Sequence, residues 1–157
     1  MNSVLEQHGE NLHELHQLQS DLIARLDDHD LQLALPGNNP TLGEALRDLG
    51  EWQNRYIESF KTFRQDYALS AAPADAATSV AVLKAWYAQL QADLVEAVGA
   101  LSEADLQKPV DRGGFAPPAG VQFHIYREML LIYYGRLDVY VRALDKTVTD
   151  QWRMWIG

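Results

Sequence analysis

The apolar positions of this chain fall into four long helical stripes, separated by segments rich in proline, glycine and small residues. Between Ser3 and Leu35, Leu5, Leu12, Leu15, Leu18, Leu22, Ile23 and Leu26 recur at three- and four-residue intervals, the spacing of one face of an α-helix. The run Pro36-Gly37-Asn38-Asn39-Pro40 must end that helix, because proline lacks the N–H that helix continuation needs. Thr41 and Glu44 have capping-box spacing, which predicts a second helix from Thr41 to about Tyr67 with Leu42, Leu46, Leu49, Trp52, Tyr56, Phe60 and Phe63 inward. Asp48 lies at the edge of that stripe. The small-residue segment 68–78 is long enough for a crossover rather than a tight hairpin. A third helix is predicted over Ser79–Val98, with Val82, Leu83, Trp86, Leu90, Leu94 and Val98 inward. Ser102 and Asp105 cap a short turn, and the irregular loop 109–120 follows.

The stretch Val121–Leu144 predicts the fourth helix. At about 100° per residue, Tyr126, Met129, Leu130, Tyr133, Leu137, Tyr140 and Leu144 share one broad side, while His124, Arg127, Glu128, Asp138 and Arg142 share the other. So wide an apolar side requires burial against other helices. Four long helices and no strand pattern predict an all-α fold, a four-helix bundle with a crossover connection. Residues 1–157 read as one domain, with an aromatic tail over 145–157. Trp152, Met154, Trp155 and Ile156 crowd the end of that tail, which favours covering them with the bundle's end or with a second subunit. Gly135, interior to the fourth helix, is expected to mark close approach of a neighbouring helix.

Charge narrows the partners. The chain has 157 residues, 13 Lys and Arg against 22 Asp and Glu, and a formal net charge of −9. Nucleic acid and an anionic membrane surface are poor partners for such a chain, since both call for clustered bases. No apolar run approaches the roughly 20 residues of a membrane span, and no signal peptide is visible; a cytoplasmic location is the expectation. There is no cysteine, so thiolate nucleophiles, thiolate metal sites and disulfides are excluded. His8, His13, His16 and His29 read as solvated residues beside the first leucine stripe, although the i, i+3 spacing of His13 and His16 would allow a shared metal.

Three segments resemble the DinB-like damage-inducible family of bacterial four-helix bundles, which includes thiol-transferase enzymes: TLGEALRDLGEWQNRYI, VAVLKAWYAQLQADLVEAVGALSEADLQKPV and GRLDVYVRAL. The resemblance implies the fold, frequent dimerisation, and a divalent metal held by three histidines, one on the second helix and two on the last. Carried over by position, those ligands fall on Asp48, Met129 and Tyr133, none of them histidine, and the glutamine that usually follows the glycine is Arg136. Methionine is a poor ligand for Zn²⁺ or Ni²⁺. The resemblance therefore predicts the bundle with its usual metal site lost and no cofactor favoured. A displaced Zn²⁺ or Ni²⁺ site on Asp48, His124 and Glu128 is the alternative, because His124 and Glu128 have the i, i+4 spacing of chelating side chains.

Three functions compete. The first is a small-molecule binding protein, with Asp48, Trp52, Met129, Tyr133 and Arg136 lining the former metal pocket. The second is a structural or stress-related protein acting as a homodimer. The third is a metal-dependent transferase or hydrolase using the displaced site. Within the pocket, Arg136 is expected to be partly buried and paired with Asp48, because a buried guanidinium needs an anion.

Overall fold

A computed structural model describes residues 2–157. Four long helices form the bundle: α1 (Ser3–Ile23), α2 (Leu42–Thr62), α3 (Val80–Gly99) and α4 (Ala119–Ala143). A short fifth helix, α5 (Asp150–Trp155), packs back on α1 and α4. Single 3₁₀ turns lie at Asp30–Gln32 and Asp105–Gln107, and no strand occurs among the described residues. No helix among them is long and apolar enough to cross a membrane.

Side chains cap the starts of α1, α2 and α3, whereas α4 begins after Pro118 without a side-chain cap. Thr41 accepts the Glu44 N–H at 3.1 Å and Glu44 accepts the Thr41 N–H at 2.8 Å, so both halves of the capping box form. Asp28 accepts the Val80 N–H at 2.7 Å at the start of α3. Asn2 caps α1 and also donates to the carbonyls of Val98 and Leu101 at 2.7 and 2.9 Å, which ties the first turn of α1 to the end of α3.

Two helices stop earlier than the apolar pattern predicts, and each for a local reason. The pattern carries α1 to Leu35, but the helix ends at Ile23. Beyond it Asp27 and Asp30 accept each other's backbone N–H at 3.0 and 2.8 Å, which gives the chain an alternative to helical bonding. The Asp30 carboxylate also holds Lys146 at 2.7 Å, so the turn is anchored to the tail. The pattern carries α2 to Tyr67, but Phe63 adopts φ 54° and closes the helix. Its carbonyl then accepts the Asp111 N–H at 2.9 Å, while the Gln65 N–H donates to Asp111 at 2.8 Å. This pairing with the 109–118 loop replaces the last turn of α2.

Helix α1 packs against α3 and α4, and α2 packs against α3 and α4. Residues 68–78, expected as the crossover, therefore join neighbouring helices. The diagonal connections are the α1–α2 and α3–α4 links. The core runs the length of the bundle and includes Leu15, Leu18, Leu46, Leu49, Leu83, Leu94, Phe123, Leu130 and Leu137, each 1% exposed or less.

Glycine marks close approach at two places, but not at the one expected. A Cβ on Gly43 would lie 1.9 Å from the Ala77 carbonyl oxygen, and one on Gly50 would lie 2.4 Å from the Trp86 ring. Gly135 is exposed, and a Cβ there would meet nothing within 4 Å. The expected overpacking at Gly135 therefore has no physical basis in this chain. Instead, Gly135→Ala should raise stability by up to ~1 kcal/mol, the helix-propensity difference between the two residues. Urea denaturation checks this, and a lower midpoint for the alanine variant would contradict it.

Candidate functional site

A cleft of about 800 Å³ lies between the first half of α2, the second half of α4 and the loop ahead of α2. Its walls are Leu35, Pro40, Ala45, Leu137 and Val139, and its polar groups are Asn39, Glu44, Arg47, Asp48, Tyr133, Arg136 and Tyr140. Two elements supply the central pair. Asp48 projects from α2 just outside the Leu46–Leu49 stripe, and Tyr133 projects from the buried side of α4. The Tyr133 hydroxyl donates to the Asp48 carboxylate across the cleft. Burial, followed by that bond and the charge of Asp48, raises the Tyr133 phenol well above its ordinary pKa, against a smaller opposing effect of Arg136. The phenol therefore stays protonated at neutral pH.

Arg136 does not pair with Asp48, contrary to expectation. It is exposed, its guanidinium lies over the Tyr133 ring at 5.1 Å, and no carboxylate among the described residues forms an ion pair with it. The reason is geometric. Tyr133 takes one oxygen of Asp48, and its aromatic face gives the guanidinium a cation–π seat with its outer edge in water.

The other expected pocket residues lie elsewhere. Met129 is 9% exposed and belongs to the core. Trp52 sits beside Tyr56 and Tyr67, with Arg55 over its ring at 5.1 Å. Neither lines the cleft. His124 and Glu128 do not meet Asp48, and among the described residues no three His, Asp or Glu side chains gather as a metal set. His124 lies edge-on to His8, with ring centroids 4.8 Å apart, and its Nδ1 is 3.2 Å from Arg127. Burial, followed by the charges of His8 and Arg127, lowers its pKa. Glu128 is exposed.

A second cleft of about 400 Å³ between α2, α3 and the turn after α3 combines Phe60 and Phe63 with Asp93, Glu96 and Asp105. Asp105 is already taken by Lys108 and Ser102, and no convergent chemistry remains there.

Sequence reasoning missed a buried polar network in the bundle centre. His16, expected in solvent, is 5% exposed, and its Nε2 is 3.0 Å from the Tyr126 hydroxyl. Gln53 donates to the same hydroxyl at 3.0 Å, Gln19 donates to Gln53 at 2.8 Å, and Gln91 donates to Gln19 at 3.0 Å. Nearer the start of α4, Gln122 donates to Ser59 and Gln65 at 3.0 and 2.7 Å and accepts from Arg112 at 2.7 Å. The available signal was placement: Gln53 falls between Leu49 and Ile57, and Gln19 between Leu15 and Ile23, inside apolar stripes.

Bundle and cleft together define an all-α four-helix protein with a polar-lined cleft between α2 and α4. The sequence profile of the DinB superfamily matches residues 11–132, and the chain belongs to that superfamily. The fold is similar to the crystal structure of a DinB-like protein from Bacillus cereus, with TM-score 0.75, 18% identity and coverage of 92% of this chain and 95% of that one. It is likewise similar to a DinB-like protein from Bacillus subtilis, with TM-score 0.73, 13% identity and coverage of 93% and 94%. No curated protein matches the chain.

Proposed function

We propose that this chain is a small-molecule binding member of the superfamily that works without the usual metal, with the Asp48–Tyr133 cleft as its site. The observation that carries this reading is the hydrogen bond from Tyr133 to Asp48. Two of the three positions that the family resemblance assigns to metal ligands are here engaged with each other, and the third, Met129, is a core thioether. A protonated phenol and a core thioether do not fit Zn²⁺ or Ni²⁺, which favour imidazole, thiolate or carboxylate, and they leave Asp48, with one oxygen held by Tyr133, as the single suitable donor of the three. The cleft has the volume of a ligand site and sets polar groups beside apolar wall. The alternative, a metal-dependent transferase or hydrolase on Asp48, His124 and Glu128, is disfavoured because Arg127 places a permanent cation on His124.

Elemental analysis of protein purified without a histidine tag tests the reading. Zinc and nickel are expected far below one ion per chain, and stoichiometric metal would overturn it. Amide chemical-shift mapping with a fragment library should then place the responding residues around Asp48, Tyr133 and Val139.

The assembly proposed is a homodimer through α4. Val121 and Ile132 are exposed on the side of α4 opposite its core, 45% and 57% respectively, and Gly135 is open beside Ile132. Of the tail, Trp152 is buried and Met154 is 80% exposed, so the tail also stays available to a second copy. Light scattering should give a dimeric mass at micromolar concentration and a monomeric mass for Ile132→Glu. A monomeric intact chain would sink the dimer.

A further inference from the structure

We infer that the cleft selects organic oxyanions, an apolar body carrying a carboxylate or phosphate head, through Arg47 and Arg136. The inference rests on the proposed function of the cleft and specifies its ligand class.

Most of the hydrogen-bond donors that line the cleft are already committed. The Tyr133 hydroxyl is committed to Asp48, the Tyr140 hydroxyl donates to the Pro40 carbonyl at 2.7 Å, and the Asn39 amide donates to the Pro36 carbonyl at 2.7 Å. The two carboxylates are also engaged: Glu44 closes the α2 capping box and Asp48 holds Tyr133. Arg47 and Arg136 differ from all of these. Both are exposed into the cleft, and neither forms an ion pair or a side-chain hydrogen bond among the described residues. This is not for want of acids, since the chain carries 22 against 13 bases. A planar guanidinium presents a fork of donors that matches an oxyanion, and two forks at one cleft make a head-group site. Arg136 is further oriented by its seat on the Tyr133 ring. Beyond the head group, Leu35, Leu137 and Val139 offer apolar wall to a hydrocarbon body. A cationic ligand would be repelled by both arginines and would find one oxygen of each carboxylate already bonded. A neutral one would leave both guanidiniums without a partner.

The test uses the full chain and four probes of equal chain length: octanoate, octyl phosphate, octylamine and octanol, titrated by calorimetry at constant ionic strength. Octanoate, octyl phosphate or both should bind about tenfold or more tightly than octylamine and octanol. Arg47→Gln and Arg136→Gln should each weaken that binding about tenfold, the effect of losing one charge-assisted contact. Lys84→Gln, the same charge change on exposed α3, should leave it unchanged. Which anion prefers the cleft assigns the head group, and either result supports the inference. Octanol or octylamine binding as tightly as the anions would overturn it while leaving the cleft as a binding site. Equal weakening by Lys84→Gln would also overturn it, because attraction would then come from overall charge. No binding by any probe, together with no fragment response at Asp48 and Tyr133, would remove the cleft reading as well.

Discussion

Trp152→Ala is expected to lower stability by about 3–5 kcal/mol, the usual cost of emptying a buried aromatic site. The indole is 2% exposed, lies 5.5 Å from the Tyr134 ring and donates its N–H to Asp138 at 2.8 Å. Two losses therefore combine in the alanine variant. The first is packing against α1 and α4. The second is the donor to one oxygen of a carboxylate that is only 8% exposed; its other oxygen keeps Arg142 at 2.5 Å. Trp152→Phe separates the two, since it retains most of the ring and removes only the donor. It should cost about 1–3 kcal/mol, the penalty for leaving a buried acceptor unsatisfied. For a domain of this size each kcal/mol moves the melting temperature by roughly 2–4 °C, so calorimetry resolves both variants. An unchanged melting temperature for Trp152→Ala would mean that α5 does not pack on its own chain. The same result would return the tail to consideration as an intermolecular surface.

Helix positions were legible where a long apolar period is bounded by a cap, as at Ser79, or by a proline-rich loop, as ahead of α4. The predicted third helix, Ser79–Val98, and the observed Val80–Gly99 differ by one residue at each end. The fourth, predicted over Val121–Leu144, is observed over Ala119–Ala143. The two missed ends had a different cause. At Asp27–Asp30 and at Phe63 the backbone takes hydrogen bonds outside the helix, one set local and one to a loop far along the chain. Only the local set leaves a trace in sequence, the aspartate-rich run Asp27-Asp28-His29-Asp30.

The candidate site was legible in part, and the division has a physical basis. Position-by-position likeness to the family brought Asp48, Tyr133 and Arg136 to one cleft although they lie on two helices. It did not reveal how they bond, because hydrogen-bond partners depend on the offset between helices, and helical period carries no information about that offset. The same limit explains Met129 and Trp52. Each lies toward the apolar side of its helix, but whether a side chain faces core, cleft or another aromatic ring is decided by the neighbour it meets. Gly135 is a different case: at about 100° per residue it lies about 160° from Tyr133, on the polar side of α4, where it is indeed exposed, and the expectation of a close approach rested only on the cost of glycine inside a helix.

His16 should make the protein lose stability as the pH falls from about 6.5 towards 4. Burial, followed by the charge of His13, lowers its pKa to about 4 from an ordinary 6.5. The hydrogen-bond count in the network agrees with the direction. Tyr126 accepts the Gln53 amide, so its own proton is the one available to His16, and it finds an acceptor only while Nε2 is unprotonated. Between the two pKa values the unfolded chain binds a proton that the folded chain refuses. Stability therefore rises with pH across that window and is fully present above about 6.5; below about 4 this group causes no further loss. A shift of this size corresponds to about 3 kcal/mol. Carboxylates act in a lower window. Burial pushes Glu51 up, but the hydrogen bonds from Ser70, Ala71 and Ala72 outweigh it and hold the group below its usual pKa. Its contribution is accordingly lost only as the pH drops through and below the ordinary carboxylate range. Urea denaturation of the wild type and of His16→Gln at pH 7, 5.5 and 4.5 distinguishes the two sources. The variant has its own offset in stability, so the quantity to compare is the slope with pH. The wild type should lose about 2 kcal/mol more than the variant between pH 7 and 4.5, the part of the shift that lies in that interval. Parallel slopes for the two proteins would show that His16 titrates freely, and would place it in water rather than in the centre of the bundle.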